Sequence, residues 1–433
     1  MKEILDQPWW LLTLAVLGLL AVLSGFVTLF SSLGRRPRRL TVNQPPAVDS
    51  AEFLEAISGT VNAPLQSGGH ATLLNNGDEF FPAIIKAIRE AKKTINFFVY
   101  IWEPGEASGM ITTALVERAK AGVAVRVLLD GLGGLRAPKE DLERMQQAGA
   151  IVHRFRPARL GKLTRFHKRN HRRAIVIDGT VGFTGGAAVG DKWLGNAQSP
   201  KQWRDTMVRV TGCMASNLQS AFTEPWAYTS GEILVGSEYY SQQPAEPDGK
   251  AARHVNVVSS PASEEHPLRL VFLLSFLAAR KKLYLSTSYF VPDKHTRAAV
   301  AERARSGVDV RILVPNHHTD AKPIRLAGRS YYDELLQAGV RMYEYQPTMM
   351  HCKHAVIDEQ WSIVGSANMD VRSKELNQEN VLGILDRGFA AQLEQTFFND
   401  LKKAHEFTLE EWRKRGLWEK MKERFWVLFA EQY

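Results

Sequence analysis

Glu117-Arg118-Ala119-Lys120-Ala121-Gly122-Val123-Ala124-Val125-Arg126-Val127-Leu128 returns as Glu302-Arg303-Ala304-Arg305-Ser306-Gly307-Val308-Asp309-Val310-Arg311-Ile312-Leu313, displaced by 185 positions (302 against 117). Each copy closes a helical pattern, turns on a glycine and enters a nearly continuous apolar run. Gly122 and Gly307 fall where a helix C-cap glycine belongs, and the run after each reads as a strand buried on both faces. Outward from the first copy, Thr94 to Tyr100 reads as a strand, Met110 to Ala121 as an amphipathic helix and Val123 to Leu129 as a second strand. Gln147-Ala148-Gly149 returns as Gln337-Ala338-Gly339, and His171 to Asp178 returns as His351 to Asp358, at displacements of 190 and 180 (337 against 147, 351 against 171). Shared order at nearly constant displacement means duplication. The expected fold is α/β, with two homologous sandwich halves forming one pseudo-twofold unit. A site at their junction then receives one copy of any repeated motif from each half.

The 433 residues are enough for a domain built twice, and 45% hydrophobic with 23% charged residues excludes a disordered or low-complexity chain. Two cysteines, Cys213 and Cys352, exclude a disulfide framework and a four-ligand zinc site of the usual kind. The net charge of +9 favours an anionic partner: phosphate, nucleic acid or an anionic membrane surface.

From Gln7 to Gly34 no residue is charged. The 25 residues from Trp9 to Leu33 would span roughly 37 Å as a helix, enough to cross a hydrocarbon core of about 30 Å. Arg35-Arg36-Pro37-Arg38-Arg39 follows at once, and the positive-inside rule keeps the rest of the chain cytoplasmic. The expected organisation is a transmembrane anchor with its basic flank over 1–40, a linker over 41–70, and halves over 71–250 and 251–400. An amphipathic helical region over 401–433 completes it. There Leu417, Trp418, Met421, Phe425, Trp426 and Phe429 alternate with basic residues, which reads as a helix packed into the core, narrowly ahead of one lying in the membrane interface.

The repeated motif carries the chemistry. His171-Arg172-Arg173-Ala174-Ile175-Val176-Ile177-Asp178 is followed by Gly185-Gly186, and His351-Cys352-Lys353-His354-Ala355-Val356-Ile357-Asp358 by Gly365-Ser366-Ala367-Asn368. Residues i and i+2 of an extended segment share a face, so each half offers an imidazole beside a cation: His171 with Arg173, His351 with Lys353. Asp178 and Asp358 lie an odd number of residues from their histidines, on the other face, where they would tie down the following loop. The glycines allow close backbone approach to a ligand. His167, His354 and Cys352 read as bystanders. Nine Lys or Arg and no acid between residues 154 and 173 read as a basic surface that steers anionic headgroups.

At these residues the chain resembles the phospholipase D superfamily, whose signature is a duplicated His-x-Lys-(x)4-Asp, and within it the bacterial cardiolipin synthase branch. Asn76 to Phe81, Trp203-Arg204-Asp205, Ser288 to Asp293, and Gly365 to Ser373 with Leu376, Asn377 and Glu379 extend the likeness over residues 71–433. Two departures fall in the first half: Arg173 replaces lysine, and Ala188 stands where Asn368 stands in the second. The resemblance implies a site of His171, Arg173, Asp178, His351, Lys353 and Asp358, with Gly186, Ser366 and Asn368 around the phosphate. Displacement at phosphorus then runs through a covalent phosphohistidine on His171, with His351 as acid. Neither metal nor cofactor is expected, since Arg173 and Lys353 supply the charge. Asp205 is the candidate to orient His171, and Glu379 to orient His351. The implied activity is a membrane-tethered phosphatidyltransferase of the inner membrane, its partners membrane phospholipids such as phosphatidylglycerol. A hydrolase releasing phosphatidic acid, a nucleic-acid phosphodiesterase and a non-catalytic membrane scaffold are the alternatives, nucleic acid fitting a membrane anchor poorly.

Overall fold

The structure is a computed structural model and describes residues 9, 11–20, 40, 42–157, 168–241, 252–260 and 266–430. The chain forms two compact units, Met1–Thr41 and Val42–Tyr433. In the first, residues 11–20 are helical with exposed leucines. Among the described residues no helix is long and apolar enough to cross a membrane. Most of the expected span, Trp9 to Leu33, and the basic flank after it lie outside the described residues.

The second unit holds two sheets. Strands β2 (Ala71–Asn75), β3 (Thr94–Val99), β4 (Ala124–Asp130), β5 (Ile151–Phe155), β6 (Ala174–Ile177), β7 (Val181–Gly185) and β8 (Thr206–Thr211) make the first. Its order is β2-β8-β7-β6-β3-β4-β5. The second contains β1 (Gln66–Ser67), β9 (Arg253–Val258), β10 (Lys282–Thr287), β12 (Asp309–Pro315), β13 (Arg341–Tyr345), β14 (Lys353–Ile357), β15 (Trp361–Gly365), β17 (Asn380–Leu385) and β18 (Ala404–Phe407). Its order is β1-β9-β17-β15-β14-β10-β12-β13-β18. Without the edge strands β1 and β18, the two orders superpose strand for strand. In both, three neighbouring strands are parallel and the remainder pair antiparallel. A short ribbon of β11 (Phe290–Val291) and β16 (Met369–Asp370) stands apart.

Alternation along the strands builds the layers. Phe97, Val127 and Ile175 face an outer core with helices α2 (Asn76–Glu90) and α3 (Glu106–Lys120). Their neighbours Phe98, Leu128 and Val176 face an inner core shared with Val356, Val364 and Leu382 of the second sheet. Helices α5 (Cys213–Ser230) and α10 (Arg387–Leu401) contribute Phe222, Trp226, Phe389 and Leu393 to that shared layer; α4 is Lys139–Gln147. The repeated helix–glycine–strand turn takes the same shape twice, with Gly122 at φ 86° and Gly307 at φ 89°.

Three expectations need correction. The stretch from 41 to 70 is not a linker: α1 (Ala51–Val61) starts at Ser50, whose side chain caps Phe53 N, and buries Phe53, Leu54 and Ile57 against α6 (Pro267–Ala278) and Trp361. The region after residue 401 opens with an edge strand, β18, before α11 (Leu409–Arg413) and α12 (Leu417–Val427). Finally, α12 faces the opposite way from the core-packed helix expected. Glu423 is its buried residue, while Leu417, Trp418, Met421 and Phe425 are exposed.

Candidate active site

Each motif histidine lies just ahead of its strand, on an extended segment held by the other half. His171 N donates to Gln378 O (2.8 Å), and His351 N donates to Arg204 O (2.7 Å). Bridges Asn170↔Gln378 and Arg204↔Met350 repeat the arrangement on both sides of the junction. The segment leading into each histidine thus runs beside the segment leading into β17 or β8 of the opposite half.

That pairing decides which carboxylate serves which imidazole. His351 Nδ1 lies 2.7 Å from Asp205, and His171 Nδ1 lies 3.1 Å from Glu379. Asp205 precedes β8 of the first half and Glu379 precedes β17 of the second, so each half orients the other's histidine. The expected assignment, Asp205 to His171 and Glu379 to His351, is therefore exchanged. Glu379 also accepts from Ser366 Oγ. Asp205 accepts from Trp193 Nε1 (2.9 Å) and from Thr206 N (2.7 Å). Burial opposes ionisation of both carboxylates, yet the facing imidazoles, cations and hydrogen bonds hold them below the usual carboxylate range.

The imidazoles are depressed in turn. Burial, then the guanidinium of Arg173, lowers His171; burial, then the Lys353 ammonium, brings His351 down to about 3. The tautomer that gives Nδ1–H to the carboxylate keeps a lone pair on Nε2 of each ring. The cations compete for these nitrogens, Arg173 Nη1 lying 2.7 Å from His171 Nδ1 and Lys353 Nζ 3.2 Å from both nitrogens of His351. His171 is 13% exposed and flanked by Tyr100, its ring 4.5 Å away. His351 is 4% exposed and boxed by Trp203 (5.0 Å) and Trp193 (5.6 Å). The first histidine is the more reachable.

The cations stand beside their histidines as the two-residue spacing predicts. Arg173 Nη1 folds back onto His171 O, and its Nε and Nη2 are buried donors without a partner among the described residues. Lys353 Nζ donates to Ser288 Oγ and His351 O, both at 2.7 Å. Burial, and Arg173 close enough to repel it, lower Lys353 to about 8. Lys353 acts on His171 and Arg173 on His351, so charges from both halves meet in one site. Asn368 is buried with Oδ1 unpartnered among the described residues; its counterpart Ala188 lies in an apolar recess with Phe80, Phe81 and Met207.

Asp178 and Asp358 do not join the site. Each caps the far end of its strand: Asp178 accepts from the backbone N–H of Lys92, Lys93 and Thr94, and Asp358 from Arg280, Lys281 and Lys282. Both adopt φ 51°, a left-handed turn repaid by three backbone donors. The basic approach to the first motif is only partly a solvated face where it is described: Arg154, Arg156 and Lys168 are half-buried. Arg169 is buried against Asp130 and Arg172 against Glu224, while Arg159, Lys162, Arg165 and His167 lie outside the described residues. Cys352 is buried with its thiol raised to about 12, so it offers no thiolate, and His354 is buried on the strand with burial lowering it to about 3. Ser288, Trp193 and Tyr100 received no role from sequence; only Ser288 lay within a segment that signalled itself. Among the described residues no group of three or more His, Cys, Asp or Glu is arranged to hold a metal ion.

Paired imidazoles, each with a carboxylate and a cation, on a duplicated α/β scaffold define a phosphodiester-transfer site of the phospholipase D type. Residues 84–199 and 274–401 match the family described as "Cardiolipin synthase, PLD-like domain". Cardiolipin synthase 1 of Bacillus anthracis is 33% identical over 92% of this chain and 79% of its own length. Cardiolipin synthase of Halalkalibacterium halodurans is 35% identical over 82% and 70%. Phosphatidylserine synthase of Haemophilus influenzae Rd KW20 shares the fold, with TM-score 0.66 over 88% of this chain and 97% of that one, at 17% identity. The chain belongs to the cardiolipin synthase family of PLD-like proteins.

Proposed function

We propose that this chain is a phosphatidyltransferase that makes cardiolipin by transphosphatidylation. The crossed pairs, His171–Glu379 and His351–Asp205, carry the reading: two oriented imidazoles at one junction supply the nucleophile and the acid that displacement at a phosphodiester needs. His171 Nε2 attacks the phosphorus of a phosphatidyl donor, and the bond from phosphorus to the headgroup alcohol breaks. The leaving oxygen takes a proton from His351. Burial first and the nearby cations second depress the imidazoles; the negative phosphodiester offsets the cations and so favours a proton on His351 once the lipid is seated. The incoming hydroxyl of phosphatidylglycerol then gives its proton back to His351 and attacks phosphorus, breaking the P–N bond and restoring both rings. Arg173 and Lys353 bind the non-bridging oxygens, with the unpartnered Nε and Nη2 of Arg173 as ready donors. The greater exposure of His171 supports its role as nucleophile.

The repeated halves, over 71–250 and 251–400, form the enzyme together with α1, β1 and β18, which complete the second. The uncharged run from Trp9 to Leu33 and the arginines behind it support a single-pass anchor in the inner membrane with the enzyme on the cytoplasmic side. Expression in a cardiolipin-free host followed by lipid mass spectrometry tests the activity. Cardiolipin is the expected product. Phosphatidic acid without cardiolipin would mean that water resolves the intermediate, and an unchanged lipid profile would exclude both.

A further inference from the structure

We propose that α12 is a membrane-docking helix that lays its apolar face into an anionic lipid surface. The helix is amphipathic, but its one fully buried residue is an acid. Glu423 faces inward and is clamped by Arg329 Nε at 3.0 Å and by Arg415. Arg329 bonds in addition to Glu344 (2.6 Å), and Arg415 lies 3.2 Å over the ring of buried Trp412. These ion pairs fix the helix so that Trp418, Met421, Phe425 and Leu428 point outward at the spacing of one helical face, with exposures of 65%, 52%, 53% and 69%. Leu417 and Phe429 extend the patch.

The charges around the patch select its occupant. Lys422 and Arg424 are exposed beside it, and Lys422 lies over the Trp418 ring, while Lys414 is paired with Glu410. Glu419 is the exposed acid of the helix, because Glu423 is buried by its arginines. Tryptophan, phenylalanine and leucine on one side with flanking cations match an interfacial helix on anionic lipid. The choice of lipid over another occupant rests on the phosphatidyltransfer reading above.

Position adds the functional link. Helix α12 packs on α8 (Lys322–Arg329), and α8 packs on β11. A Cβ on Gly328 of α8 would come within 2.1 Å of Phe290 O, so helix and ribbon touch backbone to backbone. Strand β11 pairs with β16, in the same segment as Ser366 and Asn368, and begins directly after Ser288 and Tyr289. A docked α12 therefore holds the rim of the active site toward the surface that contains its lipids.

Two measurements on the full chain test this. A nitroxide on Phe425→Cys, in a Cys213→Ser background, is read in vesicles of equal parts phosphatidylglycerol and phosphatidylethanolamine, with Lys139→Cys as the water-exposed control. Docking predicts oxygen collisions typical of the bilayer and shielding from a water-soluble nickel chelate. Nickel access equal to the control overturns the proposal. So does shielding with spin–spin broadening that disappears on dilution with unlabelled protein, since that reports a second copy. In the kinetic arm, Trp418→Gln/Met421→Gln/Phe425→Gln should raise KM for vesicular substrate about tenfold while turnover on detergent-dispersed lipid is unchanged. Unchanged vesicle kinetics overturn the docking. A wild type inactive in both formats strikes the phosphatidyltransfer reading and leaves the depth measurement to judge α12 alone.

Discussion

The two halves build the same apparatus from different residues. In the second half, Glu379 reaches His171 with help from the Ser366 hydroxyl. In the first, the shorter Asp205 reaches His351, and Gly186 stands in place of the serine. A Cβ on Gly186 would lie 2.2 Å from Asp205 Oδ1, so the missing side chain is the room the carboxylate occupies. Trp193 Nε1 supplies the donor that Ser366 supplies opposite. Arg173 and Lys353 both fold back to the carbonyl of their own histidine. What the duplication keeps is a carboxylate delivered across the junction and a cation two residues past the histidine. Chain length and donor are free to vary as long as the reach adds up. The first half has Ala188 among phenylalanines where the second has Asn368, and His171 is the more open ring.

The largest effect should come from the crossed carboxylates. Asp205→Asn and Glu379→Gln keep shape but lose the charge that orients the ring, and each should lower kcat on the order of a thousandfold. The crossing itself is read from the low-field ring-proton NMR signals. The signal lost in Asp205→Asn should be missing in His351→Ala and present in His171→Ala; the opposite assignment would return each carboxylate to its own half.

Lys353→Ala follows, with about a hundredfold loss in kcat for a phosphate contact worth about 3 kcal/mol in a low-dielectric site. Because Lys353 titrates at about 8, its ammonium is present below that pH and lost above it. Substrate capture, measured as kcat/KM, should fall as pH rises through about 8. Lys353→Arg, which copies the first half, should remove that alkaline limb while keeping part of the rate. A limb that survives the substitution belongs to another group.

Gly186→Ala should cost about tenfold in kcat, as the methyl displaces Asp205, whereas Ser366→Ala costs less because Glu379 keeps His171. Equal losses would show that Gly186 is not making room for Asp205. Arg173→Lys is the mildest change, about threefold, because charge is retained and only the fork is lost.

The duplication and its chemistry were legible because they repeat. The helix–glycine–strand turn at Gly122 and Gly307 and the two His-x-cation pairs recur at near-constant spacing. The crossing was not. Asp205 and Glu379 occupy equivalent places, and spacing alone is the same whether each serves its own half or the other. The helix at Ala51–Val61 was signalled by Ser50 and by the spacing of Phe53, Leu54 and Ile57, but the flanking Pro45-Pro46 and Gly68-Gly69 read as linker. Periodicity also showed that α12 is amphipathic without showing its direction. That is set by Arg329, almost a hundred residues earlier in the chain, which gives Glu423 a reason to face inward. In the basic run from Arg154 to Arg173, charge counted along a sequence does not reveal that buried Arg169 and Arg172 spend theirs on Asp130 and Glu224.

The central claim is that two halves share one covalent cycle, with His171 the nucleophile and His351 the proton carrier. Intact-protein mass spectrometry after exposure to an activated phosphatidyl ester with a nitrophenol leaving group tests it most directly. Nitrophenolate departs without a proton, so His351→Ala should still form the adduct and then stall, because nothing deprotonates the incoming alcohol. The phosphatidyl mass is therefore expected on His351→Ala and absent from His171→Ala. An adduct on His171→Ala and none on His351→Ala would contradict the assignment.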